Sequence, residues 1–257
     1  IVKIPRWNFE KFAGADRTLG SAMRSVGEVM GVGRTFQEAC LKAISSLEGG
    51  FPDVSGWPDE RIRTALRTAT PDRLAAIFEA FRRGWDATEV HQITRIDRWF
   101  LWQLAEIIHF EQSLEGRFVD SVSERELKRA KRLGVSDAQL ARLLGCEVGV
   151  VSEKREAAGL VPVFKRIDTC ASEFESSTPY LYSTYEDEDE AGDDPRDRVV
   201  ILGNGPNRIG QGLEFDYCCC HASFAVKDAG LCAVMVNCNP ETVSTDYDTS
   251  DKLYFEP

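Results

Sequence analysis

Four stretches of this chain carry residue types that could do chemistry. The first is Gly203-Asn204-Gly205-Pro206-Asn207-Arg208-Ile209-Gly210-Gln211-Gly212, set between an apolar run and a helical one. A glycine-rich turn in that place offers backbone N–H groups and a helix N-terminus to an anion. Its spacing departs from both phosphate-binding fingerprints. Arg208 stands where Gly-x-Gly-x-x-Gly needs its third glycine, no Gly-Lys-Ser/Thr follows, and Pro206 removes a donor. By residue type it reads as a structural turn with a buried Arg208 against acidic neighbours, with nucleotide binding as the alternative.

The second stretch runs from Asn237 to Asp251. Asp246, Asp248 and Asp251 hint at calcium, yet the EF-hand glycine and the closing glutamate are missing. Glu241 and Glu214 could both face the space of Arg208. Such a set could guide a small polar species or be a salt-bridge network. The third, residues 136–155, imitates a helix-turn-helix with its turn at Gly145. Residues 124–156 carry eight basic and six acidic side chains, a weak excess for binding phosphates. The fourth is the cysteine set: Cys40, Cys146, Cys170, Cys218, Cys219, Cys220, Cys232 and Cys238, with no Cys-x-x-Cys among them. Three consecutive cysteines on a helix point three ways, so reduced thiols are expected, not a metal site. His91, His109 and His221 lie far apart, and no Gly-x-Ser-x-Gly elbow occurs. On residue type alone, no catalytic, cofactor-binding or metal-ligating set is assigned.

The elements that must position these residues fall into three parts. Residues 1–50 open on a short β-type run and end on a helix near 36–47, with Gly27, Gly31 and Gly33 punctuating the middle. Residues 51–160 read as helices. Leu74, Ile77, Phe78 and Phe81 mark one amphipathic face. Ile96, Trp99, Phe100, Leu104, Ile107, Ile108 and Phe110 form another stripe, with Leu101 and Trp102 off it. A helix apolar nearly all round is buried on several sides or pairs with another subunit. Short helices follow near 123–133, 136–144 and 147–158. Residues 161–198 read as an extended connector ending in a solvated acidic linker. Val199–Leu202 and Cys232–Val236 read as parallel strands around a helix near 215–228, stopped by Gly230. With about two strands present, 199–257 is expected to be poorly ordered or paired with another chain.

The chain has 257 residues and a net charge of −11, which disfavours nucleic acid and anionic membranes. Glu186–Arg198 holds eight acids and two arginines. No apolar run approaches the ~18 residues that would span a bilayer. Residues 1–6 do not read as a signal peptide. The Ile start and the truncated sheet suggest a piece of a longer chain.

Ordered motifs then point to a family. They are Lys3-Ile4-Pro5-Arg6 with Phe9-Glu10-Lys11-Phe12; Ser25 to Met30; Ile96 to Phe100; Tyr182 to Glu186; Gly205 to Gly212 leading into Glu214-Phe215-Asp216-Tyr217; Asn237 to Asp251; and Tyr254 to Pro257. Together they resemble the central part of the large chain of glutamine-dependent carbamoyl-phosphate synthase. The resemblance implies a mainly α-helical oligomerisation domain followed by the start of a Rossmann-like, pre-ATP-grasp α/β parallel sheet, with a short α+β remnant at the N-terminus. It implies that residues 1–38 end the carboxyphosphate-forming half, that 39–191 are the helical domain with an acidic linker near 186–198, and that 192–257 open the half that phosphorylates carbamate. Arg208, Gly212, Glu214 and Glu241 match positions lining the carbamate tunnel. ATP, magnesium or manganese, and potassium would serve the complete enzyme, whose nucleotide and metal ligands lie outside this stretch. Partners would be a glutaminase small subunit and further large chains, in the cytoplasm, with no nucleic acid or membrane. The competing reading is a helical nucleic-acid-binding adaptor using the 123–158 helices.

Overall fold

The computed structural model describes residues 1–47, 51–210 and 213–257. The chain begins with strand β1 (Val2–Arg6), antiparallel to β2 (Gly27–Gly31) in the register Val2↔Gly31 to Arg6↔Gly27. Between them the chain makes an excursion with a single 3-10 turn at Phe9–Lys11. Gly31 is required by packing: a Cβ there would lie 2.0 Å from the Ala39 carbonyl oxygen.

Helix α1 (Phe36–Ser45) follows, capped by the Thr35 hydroxyl accepting from the Glu38 N–H. The helical layer continues through α2 (Asp59–Arg67), α3 (Arg73–Arg82), α4 (Ala87–Thr94), α5 (Arg98–Leu114), α6 (Glu124–Arg132), α7 (Asp137–Leu144) and α8 (Val148–Ala157). The starts are written locally. Asp86 and Asp97 accept from the first-turn amides of α4 and α5, and Ser123 with Glu126 forms a reciprocal capping box on α6. Ile62, Leu66, Ile77, Phe81, Leu101, Ile108, Leu127 and Leu140 fill one continuous core, each removed from water. Each such side chain contributes about 1.5–3 kcal/mol before conformational entropy is set against it.

Helix α5 is turned differently from its sequence stripe. Leu101 is fully buried with Leu104, Ala105 and Ile108, whereas Trp99, Phe100 and Trp102 are 48%, 44% and 57% exposed. The i, i+3, i+4, i+7 set beginning at Leu101 is the buried one, and the aromatic residues around it are left about half exposed.

The remaining elements build one five-stranded sheet of order β3-β4-β7-β6-β5: β3 (Val163–Arg166), β4 (Tyr180–Thr184), β5 (Arg198–Leu202), β6 (Cys232–Val236) and β7 (Lys252–Tyr254). Helix α9 (Glu214–Asp228) crosses from β5 to β6. Strands β4, β7, β6 and β5 run parallel, and β3 pairs antiparallel with β4. Two expectations are corrected here. The stretch 161–198 is not merely a connector, because it supplies β3 and β4. Residues 199–257 are accordingly not left with two unsupported strands; β6 is buried between β5 and β7. The acidic run is also fastened down. Asp189 and Glu190 accept from the Phe164 and Arg166 amides, Lys165 pairs with Glu190 at 2.9 Å, and Arg34 reaches Glu186 at 3.1 Å. No helix among the described residues is long and apolar enough to cross a membrane.

Candidate functional site

Parallel strands β5 and β6 end side by side, so the loops that leave their C-terminal ends meet at one sheet edge, where α/β folds place ligands. These are the glycine-rich loop and the Asn237–Asp251 loop. Two buried asparagines staple them. Asn237 Oδ1 accepts from the Gly205 and Asn239 amides, both at 3.2 Å. Asn239 Nδ2 donates to the Gly205 carbonyl at 3.1 Å, and its oxygen accepts from the Glu241 amide at 3.0 Å. Gly203 permits this approach: a Cβ there would lie 2.4 Å from the Asn237 side chain. Asp216, in the first turn of α9, accepts from the Val243 amide at 2.9 Å and ties the helix start to the second loop.

The paired loops are seated on the N-terminal strands. The Met30 amide of β2 donates to the Cys238 carbonyl at 2.8 Å. Lys3 of β1 lies between two carboxylates, pairing with Glu28 and, at 3.1 Å, with Glu241. The Lys3 ammonium holds the Glu241 carboxyl below its ordinary range, while Glu28 and Glu241 raise Lys3. Gly27 presses on the glycine-rich loop; a Cβ at that position would be 3.0 Å from the Asn207 nitrogen.

Of the four residues implied to line a passage, Glu241 is held by Lys3, Arg208 is half-buried within its loop, and Glu214 is exposed at the first turn of α9. Gly212 lies outside the described residues. The staples Asn237 and Asn239 are a kind of turn chemistry that their residue type announces. Lys3 gave no local signal, because its bond to Glu241 closes over 238 residues. The aspartates do not converge on a cation: Asp251 accepts from the Ala233 amide at 2.8 Å and from Arg196 at 3.1 Å, while Asp246 and Asp248 face solvent. A cavity of about 600 Å³ opens elsewhere, between the N-terminal segment and the start of α3, with Ile4, Arg6, Trp7, Phe51 and Ile77 among its walls. Arg208, Glu214 and Glu241 do not border it, so the candidate site is the pair of stapled loops and the helix start tied to them.

The other candidates resolve into structure. Six of the eight basic side chains in 124–156 turn onto protein partners. Lys131 and Arg155 both grip Asp137, at 2.7 and 2.9 Å, Lys128 and Arg129 pair with Asp187 and Glu106, and Arg132 and Lys154 donate to the Tyr185 and Val119 carbonyls. Burial alone would raise Asp137, but those two cations outweigh it and hold the carboxyl below its ordinary value. All eight cysteines are free. Burial pushes the Cys40 thiol up to about 12 and Cys220 up to about 11, which keeps both protonated and inert.

The fold thus defines a class: a helical domain leading into the opening strands of a parallel α/β domain, joined through an N-terminal strand pair. Residues 28–159 match the family described as carbamoyl-phosphate synthetase large chain, oligomerisation domain, and residues 195–257 match the carbamoyl phosphate synthase preATP-grasp domain. The chain belongs to the carbamoyl-phosphate synthetase large-chain family. It is 53% identical over 262 residues to the carbamoyl phosphate synthase large chain of Acidobacterium capsulatum, covering all of this chain and 24% of that protein. It is 54% identical to the large chain of Myxococcus xanthus (all of this chain, 25% of that protein) and 50% identical to the arginine-specific chloroplastic large chain of Oryza sativa subsp. japonica (all of this chain, 22% of that protein). The chain spans about a quarter of the length of these curated relatives.

Proposed function

We propose that this chain is the central region of a ligase large chain that makes carbamoyl phosphate from bicarbonate, ammonia and two ATP. In this reading it joins two phosphorylating halves, holds large chains together, and walls part of the passage for carbamate. Residues 1–38 close the first half, 39–191 form the helical domain, and 192–257 open the second half. The helical domain so drawn ends on β3 and β4, which it lends to the sheet of the next. Phosphoryl transfer belongs to the flanking halves, with ATP, magnesium or manganese, and potassium. Ammonia would come from a glutaminase small subunit. Eight free thiols fit a reducing, cytoplasmic setting.

The observation that supports this reading best is the convergence of both sheet-edge loops on the strand pair, a junction between the regions assigned to opposite halves. Carbamate decomposes in water, so a closed route with few hydrogen-bonding groups would preserve it. An arginine at Arg208 can pair with the passing anion. Glu214 and Glu241 would repel it, and Lys3 offsets that charge at Glu241. The test is direct. Given ATP, bicarbonate and ammonia, the complete large chain should form carbamoyl phosphate and this 257-residue chain should form none. Turnover by this chain alone would overturn the division of labour.

A further inference from the structure

The segment between β1 and β2 takes hold of one residue of the glycine-rich loop by both of its backbone groups. Lys11 Nζ donates to the Ile209 carbonyl, a contact across 198 residues of sequence. The Asn8 amide is oriented by its neighbours: with its nitrogen toward the Trp7 carbonyl, its oxygen accepts from the Ile209 N–H at 3.0 Å. Asn8 is only 3% exposed, so water cannot readily replace that acceptor. The segment holding them is itself braced. Arg6 donates to the Trp7 carbonyl at 2.6 Å and to Glu10 at 3.3 Å, and the Trp7 and Phe9 rings stack with centroids 6.1 Å apart. On the other side of the same loop, Gly27 meets Asn207. Arg208 therefore follows a residue packed against Gly27 and precedes the one that Asn8 and Lys11 hold.

We propose that Asn8 and Lys11 are positioning residues: they clamp Ile209, and through it they fix the backbone that carries Arg208. The clamp spans the junction between the two proposed halves, so displacement of the first would be transmitted to the loop of the second. The inference rests on the reading of this loop as part of a carbamate passage, and it adds residues that touch neither the passing anion nor a nucleotide. A residue that merely filled space here would not need a donor and an acceptor aimed at the two backbone groups of one amino acid.

The experiment uses the complete large chain carrying Asn8→Leu, Lys11→Met or Lys11→Arg. Two quantities are read: amide hydrogen exchange over residues 204–210, with α5 as the internal reference, and ATP consumed per carbamoyl phosphate formed. Loss of either contact should speed exchange in 204–210 by about tenfold and leave α5 unchanged. The ATP ratio should rise with it, and Lys11→Arg, which keeps a donor, should restore both. Unchanged exchange in Asn8→Leu and Lys11→Met would overturn the clamp. Faster exchange with an unchanged ATP ratio would uphold the clamp and overturn the passage reading. If Asn8→Leu also loses protection in α5, Lys11→Met decides, because its side chain lies at the surface and its loss leaves the core intact.

Discussion

Arg208→Ala in the complete large chain is expected to lower carbamoyl phosphate synthesis by about ten- to a hundredfold while leaving bicarbonate-dependent ATP hydrolysis within about twofold. The size follows from losing a charge-assisted contact to an anion in a site shielded from water, about 1.5–3 kcal/mol. The split between the two activities follows from location. In the proposed division of labour, bicarbonate is phosphorylated in the half that precedes this region, so that step would not meet the glycine-rich loop; only the carbamate travelling onward would. Measuring ADP release with and without ammonia beside carbamoyl phosphate separates the two. An equal fall in both would place Arg208 in the general stability of the chain and remove its role in the passage.

The second large effect concerns assembly. Replacing Trp99 and Phe100 together by glutamate is expected to dissociate large chains without unfolding the helical domain. Both rings are about half exposed, as is Trp102. Phe36 meets each edge-on, at 5.4 Å from Trp99 and 5.5 Å from Phe100, so the cluster is preorganised. Tryptophan anchors of this kind typically cost ≥ ~2 kcal/mol each when removed from an interface, which weakens association by about thirtyfold or more per residue. The opposite face of α5, with Leu101, Leu104 and Ile108, stays in the core and keeps the helix in place. Light scattering with circular dichroism reads the outcome. A folded species of smaller mass is the expected result; unchanged mass would show that this patch is not the contact surface.

What the residues disclosed, and what they hid, follows from the range of each interaction. The helices were legible because their causes are local: Asp97, Ser123 with Glu126, and Ser136 each cap a helix within three residues of themselves. The rotation of α5 was not legible. Leu101 and Trp102 are both apolar, and only the packing of α3 and α4 decides which one faces inward. Strands β3 and β4 were hidden because neither is an unbroken apolar run like β5 and β6: Lys165 interrupts the first until Glu190 is seen beside it, and Tyr182, Ser183 and Thr184 make the second polar. At the candidate site the glycine-rich loop and Glu241 stood out by type. Lys3 did not, because its bond to Glu241 closes over 238 residues. Asn8 was silent for the same reason.

The channelling role requires that the two loops and the strand pair border a closed route. An experimental structure of the complete large chain tests this most directly. A continuous cavity should run from the upstream half past Arg208 and Glu241 into the downstream half. Glu214, exposed in this chain, should be enclosed along its wall. If Arg208, Glu214 and Glu241 instead open only to bulk solvent, with no cavity joining the halves, the proposed channelling role is wrong.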